Sequence, residues 1–115
     1  MDYQTLFFTN DGRINRQPFW IGSIIISVAE IFLSLVISLI FGIGGFGHSL
    51  ALIVALALLY PSINLGIKRF HDRDKSGWWV LILLVPIIGA VWYFIEAGCL
   101  PGTAGPNRFG RDPLK

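Results

Sequence analysis

FWIGSIIISVAEIFLSLVISLIF, residues 19–41, is an apolar run of about 23 residues broken by a single charge, Glu30. At about 1.5 Å of rise per residue, a helix of that length crosses a hydrocarbon core roughly 30 Å thick. Outward along the chain, Leu50 to Ile67 gives a second run of about 18 residues without a charge. Trp78 to Leu100 gives a third of about 23 with one acid, Glu96. Only 14% of the 115 residues are charged and 54% are hydrophobic, against roughly 25% charged in soluble domains. A soluble domain this small must cover a large surface with polar groups, and three helices apolar all round would leave almost nothing to cover them.

The composition therefore predicts an all-α integral membrane protein made of one membrane domain, 1–115. Its expected parts are an N-terminal interfacial segment (1–18), transmembrane helices at 19–41, 50–67 and 78–100, a charged loop at 68–77, and a Gly/Pro-rich tail at 101–115. Tyr3, Leu6, Phe7 and Phe8 are expected to rest a short amphipathic segment on the membrane surface. The first run is too long for a signal-peptide core and reads as a retained anchor. The single cysteine, Cys99, permits neither an internal disulfide nor a cysteine metal cluster.

Charge distribution sets the expected orientation. Arg13 and Arg16 precede the first run, and 42–49 carries no Lys or Arg. Lys68, Arg69, Arg73 and Lys75 follow the second run, and Arg108, Arg111 and Lys115 lie in the tail. With three crossings, six basic residues share one side against the tail's three, which puts the N-terminus and the 68–77 loop in the cytoplasm and the C-terminus on the opposite side. A re-entrant third segment, broken at Pro86 and Gly89 in LVPIIGA (84–90), is the alternative. Half-segments of about ten residues cannot each span the core, and proline kinks are tolerated in membrane helices, so three crossings are expected. Ser76 then caps the third helix, Trp78 and Trp79 sit in an aromatic belt, and Glu96 is solvated near the far interface.

The stretch KRFHDRDKSGWW (68–79) gathers much of the charge. His71-Asp72 alone cannot assemble a metal site, because the only other histidine, His48, belongs to the opposite turn. Asp72 and Asp74 flanked by four bases are neutralised locally, and Lys68–Asp72 and Asp72–Lys75 are spaced for helical ion pairs. The block reads first as an ion-paired hinge. Lys68, Arg69, His71, Asp72, Arg73, Lys75, Trp78 and Trp79 are also the candidate contacts for an anionic lipid or a partner. GIGGFG (42–47) matches a dinucleotide fingerprint only formally, because its flanks are membrane segments and no acid lies at 62–67; it is a flexible turn.

Within the first run, Ser23, Ser27, Glu30, Ser34 and Ser38 fall in an arc of about 80° at 100° per residue. Such a polar stripe should not face lipid, and a charge at the depth of Glu30 costs on the order of 3 kcal/mol. Helix packing and a proton or cation relay are its two readings. The candidate intramembrane polar site comprises Ser27, Glu30, Ser34, Asn64 and Tyr93. Its neighbours would include a small-residue face at Pro86, Gly89, Ala90, Tyr93 and Ala97. Tyr60-Pro61 should bend the second helix, and Arg108-Phe109 is a candidate for docking on the bundle.

GRINRQPFW (12–20), KRFHDRDKSGWW (68–79), LVPIIGA (84–90) and PGTAGPNRFGRDP (101–113) occur in that order. The whole resembles the small bacterial inner-membrane proteins of domain-of-unknown-function family 805, across nearly the full chain. Lys68-Arg69-Phe70 departs conservatively from the Arg-Arg-Leu expected there. The resemblance implies a bacterial inner-membrane location and a helical fold, and it implies no enzyme activity.

No catalytic constellation, cofactor site or metal set is expected, and no nucleic-acid partner. An enzyme acting on lipid headgroups through His71, Asp72 and Asp74 is the weakest reading. The leading one is a small interaction subunit that binds a larger membrane protein or anionic lipid through 68–79. The alternative is an oligomeric transporter or channel with Glu30 as its ion-responsive group. Three helices enclose little by themselves, so membrane lipids, a second copy or a larger membrane protein are the expected partners.

Overall fold

A computed structural model describes residues 2–114. Among these residues the regular structure is all helical apart from one isolated bridge, Asn107 to Gly110, in the tail. The bundle measures 50 × 31 × 19 Å.

Helix α1 is a short segment, Tyr3–Phe8, capped by the Asp2 carboxylate, which accepts from the backbone N–H of Gln4 at 3.1 Å. Helix α2 runs from Arg16 to Phe41, and Pro18 is tolerated in its first turn, where no intrahelical N–H partner is needed. Gly42, at φ 75°, ends α2, and Gly44 opens helix α3, Gly45–Asp72. At 26 and 28 residues, α2 and α3 are long and apolar enough to cross a membrane. They pack along each other, and Pro61 sits inside α3.

Both helices overrun the expected limits. The charged residues 68–72 are not loop but the last turn of α3. Their helical geometry survives because each side chain finds a tertiary partner.

The third apolar run departs furthest from expectation. Residues 78–100 do not form one spanning helix. Gly77–Leu84 is a 3₁₀ segment, the chain reverses at Val85–Ile87, and helix α4 (Ile88–Tyr93) continues into a π-helical turn, Phe94–Cys99. Ser76 precedes the 3₁₀ segment without a side-chain cap. At the reversal, Ile87 has φ 66° and ψ −64°, and the N–H of Ile88 donates to the carbonyl of Pro86 at 2.7 Å. That is a γ-turn with a β-branched residue at positive φ, a strained conformation. Gly89 permits the return, because a Cβ there would be driven into the Ile82 carbonyl.

The two limbs lie side by side. The indoles of Trp79 and Trp92 stack with centroids 6.2 Å apart, and Lys75 reaches Glu96 at 2.6 Å. At roughly 2.0 Å per 3₁₀ residue and 1.5 Å per α residue, each limb covers about 16–18 Å, half a hydrocarbon core. The hairpin therefore starts and ends at one end of the bundle. The tail lies there too, against Arg13, Asp72 and Asp74, and not at the opposite end as three crossings require. The break at Pro86 and Gly89 that the sequence offered as the alternative is therefore present in the chain path, and 78–100 is a hairpin rather than one long helix.

The core sits at the same end. Leu6, Phe19, Leu65 and Ala97 are buried together, joined by Phe7, Ile14, Ile26 and Tyr93. Thus α1 is not simply laid on a surface: Leu6 is a core residue. At the far end α2 and α3 stand as a pair, with Leu39 and Ile43 nearly fully exposed.

Candidate functional site

Four polar positions in the last turns of α3, Lys68, Arg69, His71 and Asp72, point into the protein. Asp72 is the hub. Its Oδ1 meets Arg13 Nη2 at 2.9 Å and its Oδ2 meets Arg69 Nη1 at 2.6 Å, with every side chain in the triad at most 3% exposed. Arg69 spends its other N–H groups on the carbonyls of Ala97, at 2.6 Å, and Leu100. Arg13 reaches the carbonyls of Thr103 and Gly105, both at 2.7 Å, and Gly110 at 3.2 Å. One carboxylate and two guanidinium forks thus tie together the N-terminal segment, the end of α3, the end of the hairpin and the tail. Charge-assisted forks of this kind are stronger and more directional than neutral hydrogen bonds.

A second group closes α1. Its terminal carbonyls have no intrahelical partner, and α3 supplies donors one turn apart. Tyr60 donates to Phe8 at 3.3 Å and Asn64 to Phe7 at 2.8 Å, while Lys68 Nζ donates to Leu6 at 2.6 Å and to Thr5. The spacing 60, 64, 68 is one stripe of α3, and it caps the α1 C-terminus with a buried cation where the helix dipole favours one.

The remaining charges form an outer ring. Glu96 is buried, not solvated at a far interface: it accepts from Arg73 at 3.2 Å, Lys75 at 2.6 Å and the Trp92 indole at 2.8 Å. The Lys75 ammonium also lies 4.6 Å from the Trp79 ring centroid. His71 donates through Nδ1 to the Gly12 carbonyl at 2.9 Å and stacks on Phe109, centroids 3.9 Å apart. Arg108 pairs with Asp74 at 3.2 Å, so Arg108-Phe109 does dock on the bundle. Arg108 holds the Asp74 carboxyl below its ordinary value of 3.8, chiefly through the side-chain hydrogen bond.

This geometry divides the candidate contact set. Lys68, Arg69, His71 and Asp72 are buried and occupied by the protein itself, so they are not offered to a lipid or partner. Arg73 and Lys75 are partly exposed but share Glu96. Trp78 is 78% exposed, and Trp79, also exposed, is stacked on Trp92 beneath the Lys75 ammonium. The sequence reading missed Arg13 as a hub ligand, Tyr60 as a cap and Glu96 as a clamp, because all their partners but Trp92 lie 21 to 97 residues away.

The intramembrane set also splits. Ser34 donates to Glu30 at 3.2 Å, and Glu30 and Ser27 line an open groove between α2 and α3 together with Ala55, Leu58 and Ser62. Asn64 instead faces α1, and Tyr93 lines a neighbouring cavity with Ser23 and Ser27. The small-residue face splits: Gly89 packs on Ile82 and Ala97 is in the core, while Pro86 and Ala90 are exposed.

His48 and His71 occupy opposite ends of α3, about 34 Å apart by helical rise. Among the described residues, no three His, Cys, Asp or Glu side chains group to hold a metal.

Two long apolar helices, a short apolar hairpin and a polar end closed by buried ion pairs define a small helical membrane protein. Comparison with known proteins gives the class its family. A family model described as Protein of unknown function (DUF805) matches residues 7–111, and the chain belongs to that family. It is 36% identical to the inner membrane protein YhaI of Escherichia coli K12 over 102 residues, covering 89% of this chain and 83% of the relative. It is 35% identical to the inner membrane protein YhaH of the same organism over 106 residues, covering 89% and 84%. The uncharacterized protein YiiR is 27% identical over 139 aligned positions, covering 97% and 90%. No solved structure matches the chain.

Proposed function

We propose that this chain is a small inner-membrane interaction subunit that docks a membrane helix of a larger protein against the α2–α3 pair. The observation that carries this reading is Glu30. It lies midway along α2, about 21 Å from Arg16 by helical rise, in an open groove, with Ser34 as its hydrogen-bonding neighbour. A carboxyl at that depth is costly to leave facing lipid and normally faces a polar partner. The hairpin stops short of this region, so nothing within the described residues covers Ile31, Phe32 and Leu35, each about 60% exposed. A partner helix bearing a hydroxyl, amide or cationic group at that level would satisfy Glu30 and bury those side chains.

The orientation that accompanies this reading is cytoplasmic for α1, the end of α3 and the tail together. The hairpin supports it by bringing Arg13, Arg16, Lys68, Arg69, Arg73, Lys75, Arg108 and Arg111 to one end of the bundle. The 42–44 turn at the other end has no base, a stronger bias than three crossings would give.

Photo-cross-linking residues placed at Ile31 and Leu35, in membranes at native expression, test the docking. A stoichiometric protein adduct lost in Glu30→Gln supports it. Adducts to lipid alone overturn it, and self-adducts alone move the reading to an oligomer, whose ion flux with and without Glu30→Gln is then decisive. A cysteine at Gly44, in a Cys99→Ser background, should react with an impermeant maleimide from outside the cell, whereas one at Pro106 should not.

A further inference from the structure

Between α2, α3 and the tip of the hairpin lies a cavity of about 400 Å³. Its walls are aliphatic, supplied by Ile26, Leu59, Ile63, Val80 and Leu84 among others. Four hydroxyl-bearing residues line it: Ser23 and Ser27 from α2, Ser62 from α3 and Tyr93 from α4. Ser62 is bound to the Leu58 carbonyl at 2.9 Å. Among the described residues, the hydroxyls of Ser23, Ser27 and Tyr93 have no hydrogen-bond partner in the chain, and none of them is fully buried. The Tyr93 ring is fixed between Phe19 and Phe70, with centroids at 6.0 and 5.9 Å, and its hydroxyl lies over Gly66, which has no side chain to fill the space.

We propose that this cavity binds a neutral, lipid-soluble molecule whose polar end carries a hydroxyl or carbonyl group. Three hydroxyls without partners in one lining, each able to donate and accept, match such a head. The volume falls in the range of small-molecule pockets, which are apolar with a few placed polar groups. The lining holds no Lys, Arg, Asp or Glu. Of the charges nearby, Glu30 lies in the adjoining groove with Ser34, while Lys68 and Arg69 are turned to α1 and Asp72. A charged headgroup would therefore lack a counterion at membrane depth, where that is costly. A neutral head has no such penalty, and the aliphatic walls take its apolar body. The cavity shares Ile26, Ser27, Leu59 and Ser62 with the Glu30 groove, which is open to the bilayer and supplies a route in.

The test uses the full chain in nanodiscs of phosphatidylethanolamine and phosphatidylglycerol, with a long-chain alcohol carrying a diazirine beside its hydroxyl as the probe. Saturable labelling of Val80, Leu84 or Ile63 is expected. Competition by decylubiquinone, diolein or hexadecanol then tells whether a quinone, a diglyceride or a simple alcohol is the preferred source of the head.

Tyr93→Phe removes one hydroxyl and should weaken competition about fivefold, the scale of one net hydrogen bond. Ser23→Ala with Ser27→Ala should weaken it further, with the unfolding midpoint recorded to confirm that both variants fold. Glu30→Gln should leave this labelling intact, so loss of the partner adduct and loss of the ligand are separately visible. Labelling that does not saturate, that matches the outward-facing Ile24 and Val28, or that only phosphatidylglycerol displaces would overturn the proposal.

Discussion

Replacing Asp72 with Asn keeps the size of the side chain and one acceptor oxygen but removes the charge that two arginines share. Arg69 and Arg13 have side chains 0% and 1% exposed, and Asp72 is 3% exposed, so water cannot take over its role. Breaking a buried ion pair by removing one partner destabilises by about 3–5 kcal/mol, because a charge is left buried and uncompensated. Here two guanidinium groups lose one carboxylate. Their remaining bonds to the Ala97, Leu100, Thr103 and Gly105 carbonyls soften the loss. A cost near 3–4 kcal/mol is expected, a large part of the roughly 5–15 kcal/mol by which domains are stable. Tryptophan fluorescence during thermal or denaturant unfolding in nanodiscs measures it. Limited proteolysis reports separately on release of the tail. A cycle with Arg13→Gln should show a coupling of about 1–3 kcal/mol between the two sites. An Asp72→Asn protein within about 0.5 kcal/mol of the parent, the range of ordinary surface substitutions, would refute the assignment of Asp72 as the hub.

Lys68→Met should cost about 1.5–3 kcal/mol, the scale of hydrogen bonds from a charged donor. Hydrogen exchange should rise selectively in α1, whose carbonyls at Thr5 and Leu6 lose their cap. Gly89→Ala should spread the hairpin at Ile82, cost about 1–3 kcal/mol as overpacking, and loosen the Trp79–Trp92 stack, read as a shift in tryptophan emission. Asp74 titrates lower in the folded chain than when free, so its contribution to tail docking is complete above its ordinary value of 3.8 and is lost as pH falls through the lower folded value. Tail proteolysis should therefore increase only at acid pH in the parent, and Asp74→Asn should remove that acid-dependent step.

The spanning helices were legible because their signal is local. An uncharged or singly charged apolar run needs no distant partner to be a membrane helix, and α2 and α3 contain the runs read at 19–41 and 50–67. Their ends were not legible. Residues 68–72 stay helical because Arg13, Thr5, Ala97 and the tail receive their side chains, and those contacts join positions 28 to 63 apart in sequence. Hydropathy also could not distinguish a crossing from a hairpin at 78–100, since both are apolar throughout. Pro86 and Gly89 marked the break, but proline kinks are common enough in membrane helices to make either outcome reasonable. The Ser27, Glu30 and Ser34 face was visible as a period. That Asn64 belongs to α1 and Tyr93 to a separate cavity required the positions of other elements.

The hairpin that stops halfway also gives the molecule unequal girth. Near the charged end, α2, α3 and both hairpin limbs lie abreast, while near the 42–44 turn only two helices remain. In a bilayer spanned by α2 and α3, such a shape would displace more lipid on the hairpin's side than on the other. The proline-glycine break thus sets how much area the protein occupies on each face of the membrane as well as the path of its own backbone.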